Sequence, residues 1–261
     1  MTAPPNSEVT VHSSVHAGRR RHRARRTAAL VPALGLLTVL VSCTSQPDPL
    51  TTPCGVVIDG SGSGASNEKG FDAEAKLKST LLPFLEEQGC GAVEFAPITR
   101  SSQSSSCRVE RVDLDPPRKE TTDRESRRGR ARTTAASRAL EELQCARTQG
   151  GSDVWGALDR IGEEMPTKGP AAKLLVVSDF AQTDPDFRIS QADLSTARRR
   201  EETIDSLVEE RGMPAIKGMD VYPVGLGMHY DSRPGEAEDF QAFWTEVLEG
   251  RAKARVHYDY K

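Results

Sequence analysis

At 261 residues the chain has room for one sizeable domain with segments to spare at its amino end. It carries 35 basic and 38 acidic residues for a formal net charge of −3, and an acidic surface repels phosphate backbones. General nucleic-acid binding is therefore disfavoured.

The first elements concern targeting. Six arginines crowd residues 19–26 and are followed by an apolar run over 28–41, too short to span a bilayer comfortably. The run ends Leu40-Val41-Ser42-Cys43, which resembles the bacterial lipobox. That resemblance implies that residues 1–42 are a signal peptide cut before Cys43, and that Cys43 carries a lipid. The expected location is the extracytoplasmic face of the cell membrane. Residues 1–42 hold six arginines and one acid, Glu8, so their removal shifts the formal charge from −3 to −8. Residues 43–53, with prolines at 47, 49 and 53, read as an extended tether from the lipid to a domain over 54–261.

Within that domain, strands are expected over 54–58, 92–98, 174–178, 221–224 and 255–258. Several of these are too continuously apolar for a sheet with one wet face. Helical spacing alternates with them. Leu77, Leu81, Leu82 and Leu85 make one stripe, which Pro83 is expected to kink or interrupt. Ala136, Ala139, Leu140 and Leu143 make a second, and Val154, Ala157, Leu158 and Ile161 a third. Ser190-Gln191-Ala192-Asp193 reads as a capping box ahead of Leu194, Ala197, Ile204, Leu207 and Val208. Phe240, Phe243, Trp244, Val247 and Leu248 close the series after Pro234-Gly235. The alternation predicts an α/β domain with a doubly wound, mostly parallel sheet and helices on both faces.

Residues 99–133 break the rhythm and read as a polar insertion, with a short strand near 108–114. The basic run over 124–132 is expected to open a solvated helix, the alternative being a patch for anionic envelope polymers or headgroups. Besides Cys43, the cysteines are Cys54, Cys90, Cys107 and Cys145, an even set that suggests two disulfides in an exported chain. Cys54 and Cys90 each precede an apolar run suited to neighbouring parallel strands, so Cys54–Cys90 and Cys107–Cys145 is the favoured pairing of three. A zinc site is improbable, since no Cys-x-x-Cys spacing occurs and only His229 and His257 lie beyond the leader.

The candidate chemistry begins where the first strand ends. Asp59-Gly60-Ser61-Gly62-Ser63-Gly64 sets a carboxylate and two hydroxyls at alternate positions in a glycine-rich turn. Hard oxygen donors of this kind suit Mg²⁺. The pattern resembles the Asp-x-Ser-x-Ser signature of von Willebrand factor type A domains. Two later positions extend the resemblance over residues 53–258: Ser152, in Gly150-Gly151-Ser152-Asp153, and Asp179, after the apolar run 174–177.

The resemblance implies a metal-ion-dependent adhesion site made by Asp59, Ser61, Ser63, Ser152 and Asp179. It would hold Mg²⁺, with Mn²⁺ or Ca²⁺ as other oxygen-seeking choices. It implies binding rather than catalysis: an Asp or Glu carboxylate of a protein or envelope partner completes the metal's coordination. Ser152 has a competing role as an ordinary helix N-cap. Three other readings remain at this point. One is an interaction or structural domain of the same fold without metal. Another is a Mg²⁺-dependent hydrolase, for which no Gly-x-Ser-x-Gly elbow is present. The third is a dinucleotide turn at residues 60–65, disfavoured because Asp59 would face the pyrophosphate.

Overall fold

Parallel pairing of the apolar runs builds a six-stranded sheet in the order β3-β2-β1-β4-β5-β6. A computed structural model describes residues 48–62, 71–117, 123–230 and 233–260. The leader, Cys43 and Ser63 lie outside the described residues. The strands are β1 (Thr52–Asp59), β2 (Cys90–Ile98), β3 (Val112–Asp113), β4 (Lys173–Val177), β5 (Asp220–Val224) and β6 (Arg255–Val256). Only β3 runs antiparallel, against β2. The helices are α1 (Ala73–Glu87), α2 (Arg124–Arg147), α3 (Val154–Glu164), α4 (Ala197–Arg211) and α5 (Pro234–Thr245), the last continuing into a π-helical turn over Glu246–Arg251.

The continuous apolar runs follow from burial on both faces. Side chains alternate across a strand, so a sheet covered on both sides needs apolar residues at every position. One face packs Val57, Ile98, Leu174, Val176 and Val221 against α3, α4 and α5. The other packs Val56, Ile58, Phe95, Leu175 and Val177 against α1 and α2. Each fully buried aliphatic side chain contributes about 1.5–3 kcal/mol relative to exposure. Gly55 marks a close approach on the first face: a Cβ there would lie 2.7 Å from Leu174 and 2.8 Å from Ile161.

Several local expectations need correction. Helix α1 runs through Pro83 without interruption, because Leu77, Leu81, Phe84 and Leu85 are all buried and tertiary packing outweighs the lost backbone hydrogen bond. Leu82 does not join that buried stripe and stays 42% exposed. The capping box is not formed. Residues Ile189–Gln191 make a single 3₁₀ turn, and the cap of α4 is Thr196, whose hydroxyl accepts from the Arg199 amide. Asp193 is occupied instead by the amide and hydroxyl of Ser195.

The basic run is also more than a solvated face. Arg124 and Arg128 both donate to the carboxylate of Asp115, at 2.5–3.2 Å, and the guanidinium of the buried Arg127 donates to the carbonyls of Pro116 and Pro117. The same Asp115 accepts from the Leu50 amide, and Arg128 donates to the Asp48 carbonyl. Three arginines of the run are thus spent holding the start of β1 and the end of the 99–117 segment. Both expected disulfides form: Cys54–Cys90 joins β1 to β2, and Cys107–Cys145 staples the insertion to α2. Among the described residues no helix is long and apolar enough to cross a membrane.

Candidate metal centre at the switch point

The sheet order reverses direction at β1, which pairs with β2 on one side and β4 on the other. In an open α/β sheet the crevice at such a switch point, outside the carboxyl ends of the strands, is where ligands sit. Register puts Ile58 beside Val177, so Asp59 and Ser178 are the next residues at that end and Asp179 follows. The side chains gathered there begin with two buried carboxylates.

Asp59 is fully buried. One of its oxygens accepts from the Ser61 amide at 2.8 Å and the other from the Ser178 hydroxyl at 2.6 Å. A carboxylate oxygen accepts more than one hydrogen bond, so both retain electron pairs for a further partner. Burial, and then the nearby charge of Asp179, push the Asp59 pKa up to about 6, against the opposing hydrogen bonds of Ser178 and Ser61. Asp179 is itself buried, with one oxygen accepting from the Ala181 amide at 3.0 Å. A divalent cation between two such carboxylates would relieve their repulsion.

Ser152 arrives from a third direction. Gly150 and Gly151 adopt φ of 59° and 70°, the left-handed region open to glycine. A Cβ on Gly151 would lie 2.4 Å from the Arg100 Cα, so this turn also requires the smallest residue for space. Ser152 then exchanges two 2.7 Å backbone hydrogen bonds with Thr183, in the loop that follows Asp179, while the Asp153 amide donates to the Thr99 carbonyl at the end of β2. These bonds draw together the loops after β2 and β4 and the start of α3. The N-cap reading of Ser152 fails, because the cap of α3 is Asp153, which accepts from the Gly156 amide at 2.9 Å. The Ser152 hydroxyl is left buried and without a hydrogen-bond partner.

Ser61 is likewise buried beside Asp59, as its place in the turn predicts. Two residues in this neighbourhood escaped the sequence reading. In the sequence Ser178 reads only as the end of a strand, and Thr99 as the start of an insertion. Thr99 is fully buried with an unpartnered hydroxyl. Nothing in their spacing signals a role, since both depend on which strand ends become neighbours.

The donor set fits a hard cation by its chemistry: two carboxylates, neutral hydroxyls, and one of those hydroxyls buried and lacking a partner. Among the described residues no group of three or more His, Cys, Asp or Glu is placed to hold a metal, so any ion here relies on hydroxyl oxygens for the rest of its shell. What the fold and the site define together is a doubly wound α/β domain whose switch point gathers buried carboxylates and hydroxyls. No family model matches the chain, and no curated protein matches it.

Proposed function

We propose that the chain is a lipid-anchored extracytoplasmic binding protein. Its von Willebrand A-like domain would hold a divalent cation, Mg²⁺ first, and through it an Asp or Glu carboxylate of a protein or envelope partner. The observation that carries this reading is the Ser152 hydroxyl, buried and unpartnered in the turn before α3, whose backbone pairs with Thr183 in the loop that follows Asp179. An orphaned buried hydroxyl costs stability, about 1–3 kcal/mol, unless something supplies its missing partner.

In this reading Asp59 and Asp179 provide the negative charge, and Ser61, Ser63 and Ser152 provide neutral oxygens. The bound ion supplies an electrophile for an outside carboxylate. The chain's own residues bind the ion, orient its donors and keep bulk water from their inner side. Two carboxylates balance a divalent charge without exceeding it, which preserves attraction for an acidic partner. Attachment through Cys43 would keep the domain at the membrane surface.

The test is calorimetric titration of Mg²⁺ and Mn²⁺ into the full chain, beside Asp59→Ala and Ser152→Ala. Saturable binding, lost in Asp59→Ala and about tenfold weaker in Ser152→Ala, supports the assignment. Equal binding by all three proteins removes it. No binding by the folded wild-type chain favours the same fold acting as a metal-independent interaction domain. The anchor has its own test: a fatty-acid probe should label the wild-type chain in cells and fail to label Cys43→Ala.

A further inference from the structure

We infer that Ser178 is a positioning residue for Asp59, and that Trp244 of α5 holds Ser178 in that role through the backbone of Phe180. The inference rests on the metal-site reading above and assigns to it two residues outside the proposed donor set.

Ser178 is fully buried, and its hydroxyl makes two bonds of opposite sense. It accepts from the Phe180 amide at 2.8 Å and donates to Asp59 at 2.6 Å. Because the amide can only donate, the hydroxyl proton is directed toward the carboxylate. A hydrogen bond to an ionised acceptor is stronger and more directional than a neutral one. With the Ser61 amide on its other oxygen, Asp59 is held at both ends against the repulsion of Asp179. The peptide that carries Asp179 therefore also carries the group that aims Asp59, so the two carboxylates are set by one strand end.

Phe180 is the weak point of that strand end, and α5 reinforces it. Its φ is 61°, a left-handed conformation that is an outlier for a bulky residue. Such a conformation persists only where the surroundings over-determine it. Here they do so twice. The fully buried ring packs edge-on to Trp244 at 5.3 Å between centroids, and the Phe180 carbonyl accepts from the Trp244 indole at 3.1 Å. Trp244 thus fixes the carbonyl of the residue whose amide fixes Ser178.

The experiment measures Mg²⁺ affinity of the full chain by calorimetry at pH 8, where Asp59 is ionised and its proton affinity does not enter. The variants are Ser178→Ala, Ser178→Thr and Trp244→Phe, each also melted without metal. Loss of an orienting partner of this kind costs about 10–100-fold in metal affinity. The expected result is about tenfold weaker binding by Ser178→Ala, restoration by Ser178→Thr to within about threefold, and an intermediate loss in Trp244→Phe, which keeps an aromatic ring but lacks the N–H. Wild-type affinity in Ser178→Ala overturns the inference, and so does equal weakness in Ser178→Ala and Ser178→Thr, which would mark a packing role. Should Ser178→Ala not fold, Trp244→Phe decides: weaker binding supports the relay and unchanged binding refutes it. Failure of the wild-type chain to bind Mg²⁺ defeats the metal reading itself and this inference with it, an outcome distinct from any variant effect.

Discussion

Replacing Glu142 by glutamine should make the protein more stable near pH 8 and change it little near pH 4. Glu142 lies on α2, fully buried, and neither carboxylate oxygen has a hydrogen-bond partner. Burial pushes its pKa up from 4.5 to about 7, with Arg160 pulling it down and Glu164 pushing it further up. Arg160 does little to solvate it, because that guanidinium is engaged by the carbonyls of Ser102, Ser105 and Cys107. Below pH 4.5 the group is protonated whether the chain is folded or not. Between 4.5 and 7 the unfolded chain ionises first, so stability falls as pH rises and the loss is complete above about 7. At about 1.36 kcal/mol per pKa unit the ceiling is about 3 kcal/mol, and solvent reaching the ionised group trims this to about 2. For a domain of this size that is about 4–8 °C in melting temperature. Urea unfolding of wild-type and Glu142→Gln protein at half-unit steps from pH 4 to pH 8 reads the effect, and taking the difference cancels other titrating groups. Parallel curves across that range would refute the reasoning.

Asp115→Asn should destabilise the domain by about 1–2 kcal/mol at pH 7, because Arg124 and Arg128 would lose their shared, partly buried counter-charge, and proteolysis after residue 50 should quicken. The two guanidiniums hold the Asp115 carboxyl well below its usual range, so this contribution is present above about pH 4 and is lost as pH falls further. Phe180→Gly relieves a φ of 61° but removes a fully buried ring, and the ring should win: a net loss of about 2–4 kcal/mol by chemical unfolding is expected. If Mg²⁺ binds at Asp59, its affinity should rise with pH through about 6 and level off above, since the ion displaces the proton that burial and Asp179 retain there. Titration in two buffers of different ionisation enthalpy should show proton release near pH 5.5 and almost none at pH 8.

The alternation of apolar runs with helical stripes determined the fold class by itself, because a residue pattern that is apolar at every strand position demands cover on both faces. The same runs made the disulfide pairing legible, since Cys54 and Cys90 open strands that become neighbours. Asp59, Ser61, Ser152 and Asp179 were readable because each sits in a short motif at the end of a recognisable element. Ser63, read from the same motif, and Cys43, read from the leader, lie outside the described residues. What local patterns misjudged was anything decided by a distant partner. Pro83 was tolerated because α1 is held by its buried face, and the arginines of 124–128 turned inward because Asp115 and the start of β1 come to meet them. Only the tertiary structure could move the α3 cap from Ser152 to Asp153 and leave the serine hydroxyl without a partner. Only it could set Ser178 against Asp59, 119 residues away, and lay Trp244 against Phe180. Hydrophobic periodicity records which face of an element is buried. The destination of a single hydroxyl depends on which strand ends the folded sheet makes adjacent, and that is a property of the topology rather than of the residues beside it.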